Sequence, residues 1–386
     1  MRHIILADNP DIYTQLQPLT FTRPISELLL GTMTLRERWQ RLLSGEYVYS
    51  TVDYLSPLFV NEKPGTQSLT IASHIVATPE LADAIALLLP GEALTANDEI
   101  IAFCGEKPER FLPYPGKLTE ITRCYHLFEH NAEAIATDFE ALVDTMEWRP
   151  VSKSCTVIGT SARILMAEGA KAEGVTFNTE NGPIYIGRNV EIMEGSCLRG
   201  PIAILDHSTV NMLTRIYPGT TIGRHCKVGG EINNIVMHDY SNKAHDGFLG
   251  NAVIGSWCNI GAGCVASNLK NDYTEIKLWD YATHRFIRTG LQFCGLIMGD
   301  HSKAGINTMF NTATTVGVGV NIHGTGFPRN FVGSFTEGGA SMGFTEVPIS
   351  KFLGIAQRVM ARRNVELTPE LENLYTTLHD LTESNR

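Results

Sequence analysis

Positive charge is in short supply in this 386-residue sequence: 31 Lys and Arg stand against 41 Asp and Glu, a net charge of −10 at pH 7. A nucleic-acid binder would show a basic patch or stripe, so that class is excluded. Small anionic ligands are not, because a few local cations and backbone amides are enough to hold them. Long apolar runs are also missing, and no stretch approaches the roughly 20 residues of a membrane span. The opening MRHIILADNP lacks a cationic region, a long apolar run and a small-residue cleavage site, so no signal peptide is predicted. Paired cysteines are the third absence. The eight Cys are scattered without a CxxC pair, which excludes a zinc ribbon or dithiol redox motif. Reduced, mostly buried thiols in a cytoplasmic protein are expected.

What is present falls into three parts, with boundaries predicted at 1–150, 151–347 and 348–386. In the first, apolar strands at 2–7 and 99–104 alternate with helices. Thr34 and Glu37 form a T-x-x-E capping box, Thr78-Pro79 opens a second helix, and Asn131 is expected to cap a third through Met146. This alternation predicts an α/β layer with a mainly parallel sheet. Beyond Pro348, amphipathic helices are expected at 349–363 and from Thr368-Pro369 to about Leu381.

The middle part has a different period. Ile186, Ile192 and Leu198 are six residues apart, and Met298, Ala304, Phe310, Val316 and Ile322 continue that spacing over five rungs; Gly299, Gly305, Asn311 and Gly317 follow four of these. An aliphatic rung with a small or left-handed-capable neighbour is the hexapeptide signature of a parallel β-helix, in which three repeats make one triangular coil. Period-two strand alternation would not keep five rungs in phase.

The run Ser241-Asn242-Lys243-Ala244-His245-Asp246-Gly247-Phe248-Leu249-Gly250-Asn251 interrupts the rhythm and is read as a loop bulging from the coil. It is followed by Ile254-Gly255, Asn259-Ile260-Gly261-Ala262-Gly263 and Ser267-Asn268-Leu269-Lys270. These residues resemble the acetyltransferase half of the GlmU family, the bifunctional N-acetylglucosamine-1-phosphate uridyltransferases, whose loop reads S-K-A-G-H-x-x-Y-L-G-D before I-G and N-I-G-A-G. The resemblance implies a left-handed coil and a homotrimer with active sites between subunits. The reaction implied is an acetyl-CoA-dependent N-acetyltransfer to an amino-sugar 1-phosphate. His245 aligns with the catalytic base, Glu231 with the acidic residue that orients the site, and Asn259 and Asn268 with contacts to the sugar. Such a reaction needs an imidazole, since a protonated amine cannot attack a thioester. Arg215, Lys243 and Lys270 are the candidate phosphate cations. Phe248 replaces the family tyrosine, Asn233 a lysine and Leu269 a second tyrosine, so the sugar pocket is altered. Ala304, Asn307, Gly324 and Arg329 are the candidate acyl-CoA contacts.

The family's first domain opens with L-A-A-G-x-G-T-R-x-x-P-L-T. This chain reads Leu6-Ala7-Asp8-Asn9-Pro10 and then Pro18-Leu19-Thr20-Phe21-Thr22-Arg23-Pro24. The glycines that let backbone amides approach nucleotide phosphates are gone, and Asp8 and Asp11 bring negative charge instead. Arg23 and Arg36 remain as cations, and Gly105-Glu106 stands where the family's Mg²⁺-binding aspartate follows a strand. Within the family, G-G-E-I, the loop and Gly299-Asp300-His301-Ser302-Lys303 resemble a group of GlmU-like sugar nucleotidyltransferases. Three other readings stay open: a Mg²⁺-dependent sugar-1-phosphate nucleotidyltransferase using UTP or dTTP, an inactive sugar-nucleotide sensor or scaffold, and a zinc hydrolyase with His225 and His245 meeting across a subunit interface.

Overall fold

A computed structural model describes residues 2–386. The chain divides into two compact units, Leu28 and earlier residues with Met33–His126, and Leu29–Thr32 with Leu127–Arg386.

The first unit is built on a six-stranded sheet among the described residues, in the order Glu46–Ser50, His3–Ala7, Leu69–Ala72, Glu99–Cys104, Glu92–Ala96, Arg110–Pro113. Its apolar strands bury Ile4, Leu6, Leu69 and Ile71 against Trp39, Leu81 and Ile85 of helices Leu35–Leu42 and Pro79–Ala86. The expected capping box is formed in full at Thr34 and Glu37, and Thr78 caps the second helix. Three of its five strand pairings are parallel, in line with the expected mainly parallel sheet, and the other two involve one reversed strand. Glu99–Cys104 runs antiparallel to both of its neighbours because it is joined to Glu92–Ala96 by the Asn97-Asp98 turn, both residues at positive φ. A two-residue connection can only reverse the chain.

The second unit is a parallel β-helix with three faces. Ile186, Ile204 and Ile222 stack in register one coil apart, so three six-residue repeats do make a turn. Ile186, Ile192 and Leu198 lie on successive faces, and all rungs named from the sequence are buried in one continuous core. The 241–251 segment, expected to leave the coil, stays in it: Asn242 pairs with Lys227 and Asn259, and Phe248 with Glu231. The excursion is at 267–296, between Ala266 and Ile297, and carries the antiparallel pair Lys277–Asp280 and Arg285–Arg288.

Helix His126–Leu142 begins five residues before Asn131, which is therefore interior and not a cap. The Asn131 amide is buried, accepting from the Gly31 N–H at 2.8 Å and donating to Gly219 O at 2.8 Å and Thr221 Oγ1 at 2.9 Å. The C-terminal helices Ile349–Ala361 and Pro369–Leu381 match expectation, with Thr368 as the second one's cap. They pack on the chain's own coils, where Phe352 and Tyr375 meet His301 edge-on at 5.7 and 5.2 Å between ring centroids. Among the described residues, no helix is long and apolar enough to cross a membrane.

Candidate functional site

His245 is exposed on the corner joining strand Asn242–Lys243 to strand Phe248–Ile254. Lys243 explains the shape of that corner. It pairs with Val228 in the column of inward rungs, so its stem replaces an aliphatic side chain. The residue is fully buried, and its ammonium donates to His245 O and, at 2.9 Å, to Asp246 O. Burial pushes the ammonium's pKa down. Lys243 thus points into the coil, where a sugar phosphate does not reach, and holds the carbonyls on which His245 is mounted. Gly247 completes the corner at φ +131°; a Cβ there would collide with Cys264 O and come within 3.0 Å of the Lys243 Nζ.

The adjacent face carries three expected residues in register, Arg215, Glu231 and Phe248. Arg215 Nε donates to Glu231 Oε2 at 3.4 Å, a half-exposed pair, and the Glu231 N–H donates to Gly247 O. Asn268 joins them, its Nδ2 donating to Asn251 Oδ1 at 2.8 Å. Gly250 makes this approach feasible, since a Cβ there would lie 2.6 Å from both Asn268 Nδ2 and Phe248 Cζ.

Asn259 stands elsewhere, on the face of Lys227 and Lys303. With Asn242, Ala244, Tyr240 and Trp257 it lines a cavity of about 500 Å³, closed by Lys227, Lys303, Arg362 and Arg363 and lined by no carboxylate. Arg363 Nη2 donates to Asn242 Oδ1 at 3.0 Å, and Lys303 Nζ to His301 O at 2.8 Å. Burial lowers the Lys303 pKa. Within one chain, then, Asn259 and Asn268 do not share a pocket. Lys270 lines a third cavity, with Lys277, Asn311, Phe286 and Phe327, beside the excursion.

Of the expected acyl-CoA contacts, Asn307 (φ +59°) and Gly324 (φ +92°) continue the His245 corner upward. Gly263 N donates to Asp246 O and Asn307 N to Ala262 O along it. Ala304 is a buried inward rung whose methyl faces the core, so any contact from it is through backbone. Arg329 is exposed on the segment that follows Gly324. His225 belongs to a different corner, in a stack that the sequence reading missed: His207, His225, Tyr240 and Trp257 lie face to face at 4.8, 4.8 and 4.1 Å, all at positive φ. The signal was there as one bulky residue per coil. Within a chain His225 and His245 do not meet.

In the first unit, Asp8 fills the place of the lost glycine loop. Its carboxylate accepts from Ser73 Oγ, Thr51 Oγ1 and, at 3.2 Å, the Ile25 N–H. Burial, set against those hydrogen bonds, pushes its pKa up to about 6. It opens on a cavity of about 480 Å³ at the carboxyl ends of strands His3–Ala7 and Leu69–Ala72, lined also by His74, Asp98 and Glu99 and by no Lys or Arg. Burial pushes His74 down to about 4, so its imidazole is neutral at pH 7, and pushes the Glu120 carboxyl up, with Glu99 adding to it. Neither Arg23 nor Glu106 lines this cavity. Glu106 follows the antiparallel strand Glu99–Cys104, and Cys104 pairs with Leu69, so Glu106 sits at the end of the sheet where these neighbours begin, opposite Asp8. Arg36, whose guanidinium binds Glu27 and Gln40, is committed to local pairing.

An α/β unit of this kind followed by a three-faced coil is a nucleotidyltransferase-like domain joined to a parallel β-helix. Residues 4–146 match the model of a family described as sugar nucleotidyl transferase. Part of the chain is similar to the bifunctional protein GlmU: that of Gloeobacter violaceus is 34% identical over 114 residues, 28% of this chain and 23% of its own length. That of Clostridium beijerinckii is 30% identical over 135 residues, 34% and 25%. The matches thus span about a quarter of these curated relatives. A solved UDP-N-acetylglucosamine acyltransferase from Francisella novicida is 14% identical and covers 62% of this chain and 78% of that one, at a TM-score of 0.30.

Proposed function

We propose that this chain is a cytoplasmic acyltransferase that moves an acetyl group from acetyl-CoA to the amine of an amino-sugar 1-phosphate, with His245 as base. The observation that carries the reading is an exposed imidazole on a corner fixed from inside by Lys243, next to an acid-free cavity rimmed by four cations. In a chain of net charge −10, four cations facing one space without a carboxylate mark a place for an anion. Ala244 lines that cavity, so the phosphorylated end of a ligand lying there leaves its other end near the corner.

In this reading the imidazole takes a proton from the sugar ammonium, and the free amine attacks the thioester carbon. The C–N bond forms, the carbonyl becomes an oxyanion, and its collapse breaks the C–S bond. The leaving thiolate takes a proton back from the imidazolium, and the acylated nitrogen loses its second proton to water, leaving the neutral amide and free CoA thiol. Backbone N–H groups at the corner or the Asn268 amide are the available donors to the oxyanion. Glu231, tied to Arg215 and to the corner backbone, positions the loop and the sugar; Phe248 supplies an apolar wall. Because Asn259 and Asn268 lie on different faces of one chain, a homotrimer completes the site, the Asn259 face of one subunit meeting the Asn268 face of another. Asn307, Gly324 and Arg329, along the same corner, run beside the acyl-CoA.

The test is release of free thiol from acetyl-CoA with a panel of amino-sugar 1-phosphates, alongside His245→Ala. Sugar-dependent release that falls at least about 100-fold in the variant supports the assignment; no release with any sugar from a folded protein removes it. The match of residues 4–146 favours a second reading, sugar-1-phosphate nucleotidyl transfer with UTP or dTTP. It requires Mg²⁺ or another cation to bring a triphosphate into a cavity lined by Asp8, Asp98 and Glu99, and UTP binding with and without the metal tests it.

A further inference from the structure

The geometry points to a divalent transition-metal site in the first unit, formed by His74, Glu99 and Glu120, that takes an ion of the Mn²⁺ or Zn²⁺ class. One ligand atom from each of the three lies within 4.8 Å of the others. His74 Nε2 stands 3.7 Å from Glu120 Oε1, too far for a hydrogen bond. Two ligands of an ion that binds each at 2.0–2.2 Å in tetrahedral geometry are about 3.4 Å apart, so a small closure of the carboxylates suffices.

A second observation makes this more than a cluster of acids. The His74 side chain is 4% exposed, and its Nδ1 is buried without a hydrogen-bond partner. A buried imidazole normally finds a partner, and here Nδ1 has none while Nε2 faces the Glu120 carboxylate. The backbone holds the group in place. Ile75 and Glu120 form an antiparallel bridge, the Ile121 N–H donates to His74 O at 2.9 Å, and the Val76 N–H to Thr119 O at 3.0 Å. Glu99 begins the strand that pairs with Leu69–Ala72, two residues before His74.

One nitrogen and two carboxylates are the donor set of Zn²⁺, Mn²⁺ or Co²⁺; an all-oxygen set would suit Mg²⁺ or Ca²⁺. His74 and Glu99 also line the cavity at Asp8, which gives the ion an entry path and leaves its remaining positions open to water or an anionic ligand. This inference stands apart from the acyltransferase reading, whose residues lie in the other unit.

The experiment is calorimetric titration of the untagged, EDTA-treated full chain with Mn²⁺, Zn²⁺, Co²⁺ and Mg²⁺, with the visible spectrum of the Co²⁺ form. The expected result is one ion per chain, Mg²⁺ much the weakest, and d–d bands characteristic of nitrogen and oxygen ligands. His74→Ala is expected to weaken binding by at least about 100-fold, since even outer-shell losses reach that size. Should that variant unfold, Glu99→Gln, at an exposed position, tests the same site without disturbing the core. His225→Ala, in the aromatic stack, is the control and should bind normally. The inference is overturned by absence of binding, by unchanged binding in both Glu99→Gln and folded His74→Ala, by a preference for Mg²⁺, or by loss of binding in His225→Ala.

Discussion

Replacing Lys243 with Met would show whether the buried ammonium positions the corner that carries His245. The substitution keeps the stem in the inward column beside Val228 and removes only the charge. His245 O then loses its donor, while Asp246 O keeps the Gly263 N–H. An orphaned acceptor costs roughly 1–3 kcal/mol. Against this, the folded state no longer buries a cation, whose burial already lowers the Lys243 pKa. A net loss of about 1–2 kcal/mol remains, which for a unit of this size is a fall of roughly 2–8 °C in Tm. The larger effect falls on the reaction: a shift of about 1 Å at a catalytic group costs on the order of 100-fold in rate. Circular-dichroism melting and thiol release would be measured on Lys243→Met and on Val228→Ala, which opens a void in the same column without touching the corner carbonyls. The positioning argument expects similar losses in Tm but a collapse of kcat only in Lys243→Met. If both variants lower kcat equally, or if Lys243→Met changes neither quantity, the reasoning is refuted.

Asp8 gives a pH dependence with a defined sign. Its pKa is raised from 3.8 to about 6 in the folded unit, so the stability it contributes is fully present below about pH 3.8 and is lost as pH rises through about 6. The loss is up to about 3 kcal/mol. In EDTA, urea midpoints of the wild type should show this fall across that window, and Asp8→Asn should remove it; parallel pH profiles would count against a buried Asp8. Gly250→Ala should push Phe248 and Asn268 apart and raise KM for the sugar several-fold with little change in Tm; an unchanged KM would take Asn268 out of the sugar pocket. Arg363→Ala and Lys227→Ala should each weaken binding of the phosphorylated ligand by about 10-fold at low salt, and less at high salt. Equal losses at both ionic strengths would contradict a charge-based cavity.

The β-helix was legible because its determinants repeat along the chain. Each rung from Met298 to Ile322 is buried for the same local reason, and six-residue spacing requires no knowledge of distant partners. Helix starts at Thr34, Thr78 and Thr368 were equally legible, since a cap and the backbone N–H that donates to it lie within four residues. Of the candidates named from the motif, Arg215, Glu231 and Phe248 fall in register.

What the sequence left open depends on which way a residue faces and on what lies across the fold. Lys243 reads as a surface cation until its register in the inward column turns it into the coil. Glu106 reads as a strand-end carboxylate beside the cavity until the antiparallel turn of its strand carries it to the far end of the sheet. Asn131 reads as a cap until buried bonds to Gly31 and Gly219 make it a tie. The grouping of Lys227, Lys303 and Arg363, and of His74 with Glu99 and Glu120, joins positions far apart in the chain. Periodic burial is written locally, whereas a charged site is a meeting of distant side chains, and only the tertiary structure decides which of them meet.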